Sequence, residues 1–253
     1  MLVRSRLVTG GILLLIGLAL PGCIISTDHT EPVPEEAVPL LLQVLKDPDP
    51  SQRQTAAQSL GKIGRNEALP ALIEALQDPD PGVRRQAAWA VGTIGNDSAA
   101  ARHFLIPLLF DADPGVRESA SPALGRTGES GAGLQSLGER LSAQDTSSDT
   151  KRLAAAALGG MAVVGSSAIV RPLLQDQDPI VRRWAAAAVA DIGDRDASAS
   201  LGRILRSDPY PGARIEAAFH LGKIGDSIAR EALTHALNDP DEHVRLLAKS
   251  GLP

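Results

Sequence analysis

The chain repeats itself. Seven times an acidic residue is followed six positions later by a basic one inside nearly the same phrase: Asp47/Arg53, Asp78/Arg84, Asp111/Arg117, Asp145/Lys151, Asp176/Arg182, Asp208/Arg214 and Asp239/Arg245. Successive acids lie 31, 33, 34, 31, 32 and 31 residues apart. The text reads DPDPGVRRQAAWAVGTIG from Asp78, DADPGVRESASPALGRTG from Asp111 and DQDPIVRRWAAAAVADIG from Asp176. A fixed period of this length marks small supersecondary units, each of which buries its apolar face only against its neighbours. The fold is thereby limited to a stacked array, and the search for function moves from a pocket to a surface.

Each period predicts two helices. Helix A is Leu-rich and ends shortly before the acid, as in VPLLLQVLKD and ALPALIEALQD, with apolar residues at helical spacing. Helix B follows the turn and reads VRxxAAxALGxIG with variations. In Asp49-Pro50, Asp80-Pro81, Asp113-Pro114 and Asp178-Pro179 the aspartate suits the N-cap of helix B, and the proline suits a first turn that needs no amide donor. Gly64, Gly95, Gly128, Gly193 and Gly225 stand where a left-handed residue closes helix B. Glycines inside helix B, such as Gly92 and Gly125, cost helix propensity and make sense where neighbouring helices approach closely. Two units depart from the pattern. Pro122 falls inside the third helix B and is expected to kink or split it. The fourth unit has QDTSSDTKR where others have DPDPxVR, which marks a bend or local mobility.

The repeated phrase resembles the HEAT repeat, in particular the short type named after phycobilisome bilin lyases. The resemblance runs from Ala37 to Pro253 and implies an all-α, right-handed α-solenoid of about seven helix pairs. It also implies that acid and arginine hydrogen-bond within and between units as a structural ladder: Asp47, Arg53, Asp78, Arg84, Asp111, Arg117, Asp176, Arg182, Asp208, Arg214, Asp239 and Arg245, with Asp145 and Lys151 in the fourth unit.

The first residues stand outside the array. Arg4 and Arg6 precede an uncharged stretch, Leu7–Ile25, containing GILLLIGLAL and then Pro-Gly-Cys. This is the layout of a secretory signal. Leu20-Pro21-Gly22-Cys23 resembles the lipobox of bacterial lipoproteins, which implies a signal peptide over 1–22 and lipidation at Cys23, the chain's single cysteine. The alternative is an uncleaved anchor, since 19 uncharged residues approach the length of a spanning helix. Residues 23–36 read as lipidated cysteine and flexible spacer, and 37–253 as the solenoid. By resemblance to the sorting of Gram-negative lipoproteins, Ile24 after the cysteine implies the periplasmic side of an outer membrane, if the cell has one. Without residues 1–22 the chain keeps 23 basic against 30 acidic residues, a net charge of −7. That is a poor match for nucleic acid, whose affinity rests on neutralised phosphates.

The chemistry-bearing residues do not assemble into a motif. His29, His103, His220, His235 and His243 change position from unit to unit. Deoxyhypusine hydroxylase, a metalloenzyme of related fold, holds its irons through His-Glu dipeptides, and this sequence has none. No phosphate-cradling loop or nucleophile elbow occurs. The paired aspartates are spent on amides and arginines rather than converging on a cation. No cofactor, metal site or catalytic residue is therefore assigned.

What remains is a stripe of helix B, eight, eleven and fifteen positions after the acid, which lines the concave side in HEAT arrays. It carries Lys62, Gln86, Trp89, Arg126, Trp184, Asp191, Glu216, Phe219 and Lys223. Both tryptophans and one of three phenylalanines fall on it, in a chain with 2% aromatics. One reading makes them anchors for a protein or peptide partner; the other makes them packing over alanine gaps. Ala156, Gly160 and Ala187 leave a shallow depression between the two aromatic patches. The expected protein is a non-catalytic, lipid-anchored envelope scaffold or assembly factor. A bilin lyase or bilin chaperone is the alternative implied by the repeat type.

Overall fold

The computed structural model describes residues 37–95, 99–127, 133–143 and 145–253, all arranged as helices and turns. Fourteen α-helices follow one another: α1 Ala37–Val44, α2 Pro50–Ile63, α3 Leu69–Ala75, α4 Pro81–Ile94, α5 Ala99–Leu108, α6 Pro114–Gly125, α7 Leu134–Leu141, α8 Ser148–Met161, α9 Ser167–Val170, α10 Pro179–Asp191, α11 Ser198–Ser207, α12 Pro211–Ile224, α13 Ser227–Ala236 and α14 Glu242–Ser250. Odd and even helices alternate as the two members of seven pairs, an all-α solenoid. The signal segment, Cys23, His29, the spacer and Gly128 lie outside the described residues. Among the described residues, no helix is long and apolar enough to cross a membrane.

The even helices start where an aspartate gives up its side chain to the backbone. Asp49 accepts the Ser51 amide, Asp80 that of Val83, Asp113 that of Val116 and Asp178 that of Ile180, each with proline in the first turn. In the sixth unit Tyr210 takes this place without a capping bond. Helix ends follow glycine. After α10, Gly193 has φ +76°, its amide bonds Ala190 and the next amide bonds Val189, a Schellman closure. The fourth unit lacks that glycine, and Ala162 is held at φ +53° instead. An L-residue in this region costs about 1–2 kcal/mol. Ala162→Gly is therefore expected to stabilise the protein by about 1 kcal/mol in urea unfolding. No gain would mean that the turn relaxes without strain.

Pro122 does not split its helix, the stronger of the two effects expected from the sequence. The α6 helix runs through it and closes at Gly125, two positions earlier than its counterparts α2 and α4 do relative to their acids. The shortened end is met from outside, because the buried Arg102 of α5 donates to the Thr127 carbonyl just beyond it. A proline in the last turn removes only one ladder bond, and a guanidinium at a helix C-terminus is favourable. Pro172 acts more strongly: α9 is only four residues long and continues as a 3₁₀ turn, Arg171–Gln175.

Packing explains the array's shape. Each even helix packs chiefly against the even helices before and after it. The contacts leave no room for side chains: a methyl on Gly92 would stand 2.7 Å from the Ala123 Cα, and one on Gly160 3.2 Å from the Gly125 Cα. Odd helices instead present buried leucines, including Leu41, Leu72, Leu105, Leu137, Leu201 and Leu233. Small residues on the even row let its helices approach more closely than the leucine-lined odd row does. The core is continuous from Val38 to Ala248. At the far pair Leu247 and Leu252 are partly covered, while Leu246 is 64% exposed.

Candidate functional site

The ladder is built by guanidinium groups that each span two units. Arg84 Nη1 donates to the carbonyls of Asp78 and Pro79 in its own turn at 2.8 and 2.9 Å. Its Nε and Nη2 donate to the two oxygens of Asp111 in the next turn, both at 2.9 Å. Asp111 Oδ1 also accepts the Asp113 amide at 2.9 Å, so one carboxylate fastens its own turn and the preceding helix. Arg53 treats Asp78 in this way, Arg182 treats Asp208 and Arg214 treats Asp239. Lys151 reaches Asp176 by a single bond of 2.8 Å. Asp47 holds the Asp49 amide, and Arg245 its own carbonyls at Asp239 and Pro240. Burial pushes the carboxyl pKa values of Asp78, Asp111 and Asp208 up, but the facing guanidinium and the turn amide hold each below the usual carboxylate range.

The fourth unit corrects the pairing read from sequence. Asp145 is exposed and is not the acceptor for Arg117. That role passes to Asp149, which lies within α8, and Arg117 reaches only one of its oxygens, at 3.2 and 3.0 Å. The other oxygen is held by Arg152 at 2.7 Å. Ser147, not an aspartate, caps α8. The Asp149 side chain is 39% exposed against 9% for Asp111, so this is a wetter rung.

The stripe residues fall into two clusters on the even row. In the first, Trp89 on α4 is 38% exposed, yet its ring lies against Gly61 of α2, where a methyl would meet Cζ3 at 2.7 Å. The indole therefore rests on a side-chain-free gap and still presents a face to solvent. Lys62 is exposed, Gln86 is half-buried, and Arg126 donates across to the Gly92 carbonyl at 3.2 Å. In the second cluster Trp184 is 37% and Phe219 44% exposed. Lys223 Nζ sits 4.2 Å from the Phe219 ring centroid, a cation–π contact. Glu216 accepts from Arg183 at 3.2 Å. Desolvation raises the Asp191 carboxyl above its ordinary range, against the pull of Lys223. Between the clusters Ala156 and Ala187 are half-buried, and Gly160 is exposed against the Gly125 backbone.

One residue was missed by the motif search. His220 is 3% exposed, edge-on to Phe219 at 5.0 Å, with Nδ1 unpartnered. Burial, helped by Lys223, pushes its pKa down to about 4, so the ring is neutral. The signal was its row: the equivalent positions are Ala90, Ala123 and Ala188, all buried. Among the described residues no three metal-ligating side chains converge. Open grooves of about 750 and 980 Å³ run between successive turns, one beside Tyr210 and one beside Pro172, along the ladder edge rather than over the stripe.

Comparison with known proteins agrees with this architecture. A family model for HEAT repeats matches residues 38–102, 69–143, 134–219 and 198–252. The chain is similar in fold to one chain of the complex of CpcE and CpcF of phycocyanin lyase from Nostoc sp. PCC7120, with a TM-score of 0.50 and 25% identity over 90% of this chain and 99% of that one. An engineered protein matches with a TM-score of 0.54 and 22% identity, covering 85% of this chain and 67% of its own. Human deoxyhypusine hydroxylase in complex with glycerol gives 0.42 and 21%, covering 85% and 82%. No curated protein matches the sequence. With the matched segments running from Val38 to Leu252, the chain belongs to the HEAT-repeat family.

Proposed function

We propose that this protein is a non-catalytic envelope scaffold that captures a protein or peptide on the concave even-helix row, held to the membrane by lipid on Cys23. The observation that carries the docking role is the set of three exposed aromatics, Trp89, Trp184 and Phe219, on both sides of a floor of small residues, Ala156, Gly160 and Ala187. Exposed indoles clustered on a concave surface are the usual anchors of interfaces. Replacing Trp89 and Trp184 together by alanine is expected to weaken partner capture from the native envelope by about thirtyfold. The helical circular dichroism should stay near wild type, because each ring is more than a third exposed. Unchanged capture would sink the docking role.

The anchor rests on Arg4, Arg6, the apolar run and Leu20–Cys23. Cys23→Ala is expected to block lipid addition and signal cleavage, leaving a precursor of higher mass that takes up no labelled fatty acid. A processed, labelled protein in that variant would exclude lipidation at Cys23.

The fold likeness to the phycocyanin lyase complex favours a second reading, a bilin lyase or bilin chaperone. Fold alone is weak support for an activity, and the signal sequence points away from the cytoplasm, where bilin proteins are assembled. Purified protein that shifts the absorption of an added bilin would favour this second reading over the scaffold.

A further inference from the structure

We propose that the segment docking over Trp89 is acidic, an extended peptide with carboxylates about three residues apart around one large apolar side chain. The inference rests on the reading of the even row as a docking surface and adds the partner's chemistry. Three cations stand on the same part of the row as the indole: Lys62 follows Gly61, on which the ring lies, Arg85 is one turn before Trp89 with its side chain against Gly115 of α6, and Arg126, at the end of α6, donates to the Gly92 carbonyl, one turn after Trp89. All three are exposed, and among the described residues none has a carboxylate within 4.0 Å.

The contrast with the other half of the same row is what gives this weight. There Arg152 is paired with Asp149 at 2.7 Å, Arg183 with Glu216 at 3.2 Å, and Lys223 is placed over Phe219. Around Trp89 the nearby aspartates are already spent, since Asp80 and Asp113 accept helix amides. Exposed carboxylates near this part of the row are Glu118 on α6 and Asp49, which caps α2. A chain whose formal charge is −5 thus keeps three cations outside any ion pair on the part of the row that holds Trp89. Such a patch steers and orients an anionic partner, while the indole supplies the desolvated contact. Adjacent helices spaced about 8–10 Å apart match every third residue of an extended chain that rises about 3.3 Å per residue.

The test uses the purified full-length chain and three fluorescein-labelled probes, read by anisotropy. They are a peptide of about ten residues with glutamate at every third position and one phenylalanine, the same peptide with lysine for glutamate, and a short single-stranded oligonucleotide. The acidic peptide should bind, weaken about tenfold from low to physiological salt, and weaken about tenfold in Lys62→Glu or Arg85→Glu. Trp89→Ala should also reduce binding, and Lys62→Arg should retain it. Preference for the lysine peptide would overturn the acidic assignment while leaving the docking row intact. Tighter binding of the oligonucleotide would replace a protein segment with nucleic acid. Acidic-peptide binding that ignores salt and both charge reversals would overturn the role of the cations. If neither peptide binds, capture of the envelope partner decides: its loss in the double tryptophan variant overturns only the acidic assignment, and its persistence overturns both readings.

Discussion

Replacing Arg182 with alanine is expected to lower the stability of the protein by about 3 kcal/mol. The substitution removes four donors at once: two to Asp208, whose side chain is 3% exposed, and two to the carbonyls of Asp176 and Gln177. Asp208 would then keep its charge in a nearly dry site with only the Tyr210 amide as partner at that oxygen. Arg182→Lys should lose about half as much, because an ammonium keeps the charge but not the fork. The fourth unit already shows that geometry, with Lys151 making one bond to Asp176. Urea unfolding followed by far-ultraviolet circular dichroism measures both variants. Units in such an array are coupled only to their neighbours, so the alanine variant should also unfold over a broader range, with a smaller slope. A loss below about 1 kcal/mol with an unchanged slope would show that the ladder is peripheral to stability.

Acidification from neutral pH is expected to cost about 3 kcal/mol before the ladder carboxylates titrate, and His220 is the source. In the unfolded chain this imidazole takes up its proton near 6.5, whereas burial in the folded chain holds it to about 4. Between those values the unfolded state binds more protons, so stability is complete above about pH 6.5 and declines as pH falls to about 4. The Glu216 carboxylate stands 3.7 Å from Nε2, beyond hydrogen-bond reach, and does not rescue the charged ring. Asp191, raised by desolvation, works the other way and offsets part of the loss as it protonates. Below the ordinary carboxylate range Asp78, Asp111 and Asp208 add a second decline, since their folded values are depressed. His220→Ala should flatten the first decline and leave the second. A variant with the same slope between pH 6.5 and 4 would clear His220 of the effect.

The parts of this fold set by local chemistry were readable from the chain, and the parts set by contact across units were not. Asp-Pro dipeptides and closing glycines announced the starts of α2, α4, α6 and α10 and the left-handed ends at Gly64 and Gly193. Counting six residues back from Lys151 gave Asp145, but a rung is a distance in space. Arg117 takes the carboxylate that α8 brings within reach, which is Asp149. Replacement of the DPDP turn by DTSSDT was the visible warning. Pro122 was read by the rule for helix interiors, although it stands three residues from the end of its helix, where the rule has least force. The stripe was legible as periodicity. That Trp89 both rests on Gly61 and faces solvent became visible only when the two helices were placed side by side.

The ladder has a consequence for how such a molecule changes over generations. Every full rung joins one turn to the following turn through the same three atoms of the guanidinium and the same two oxygens, irrespective of which units they belong to. Excision of one whole period between equivalent points would therefore bring an arginine to the aspartate formerly two units away, in an unchanged grip. The frame is a standard coupling, and length becomes a heritable variable that unequal crossover can alter without redesigning a core. Loss of the coupling in a single unit, as between Arg117 and Asp149, shows that the standard tolerates an imperfect copy. Residues outside the grip, Trp89 and its cations among them, are then free to diverge one unit at a time.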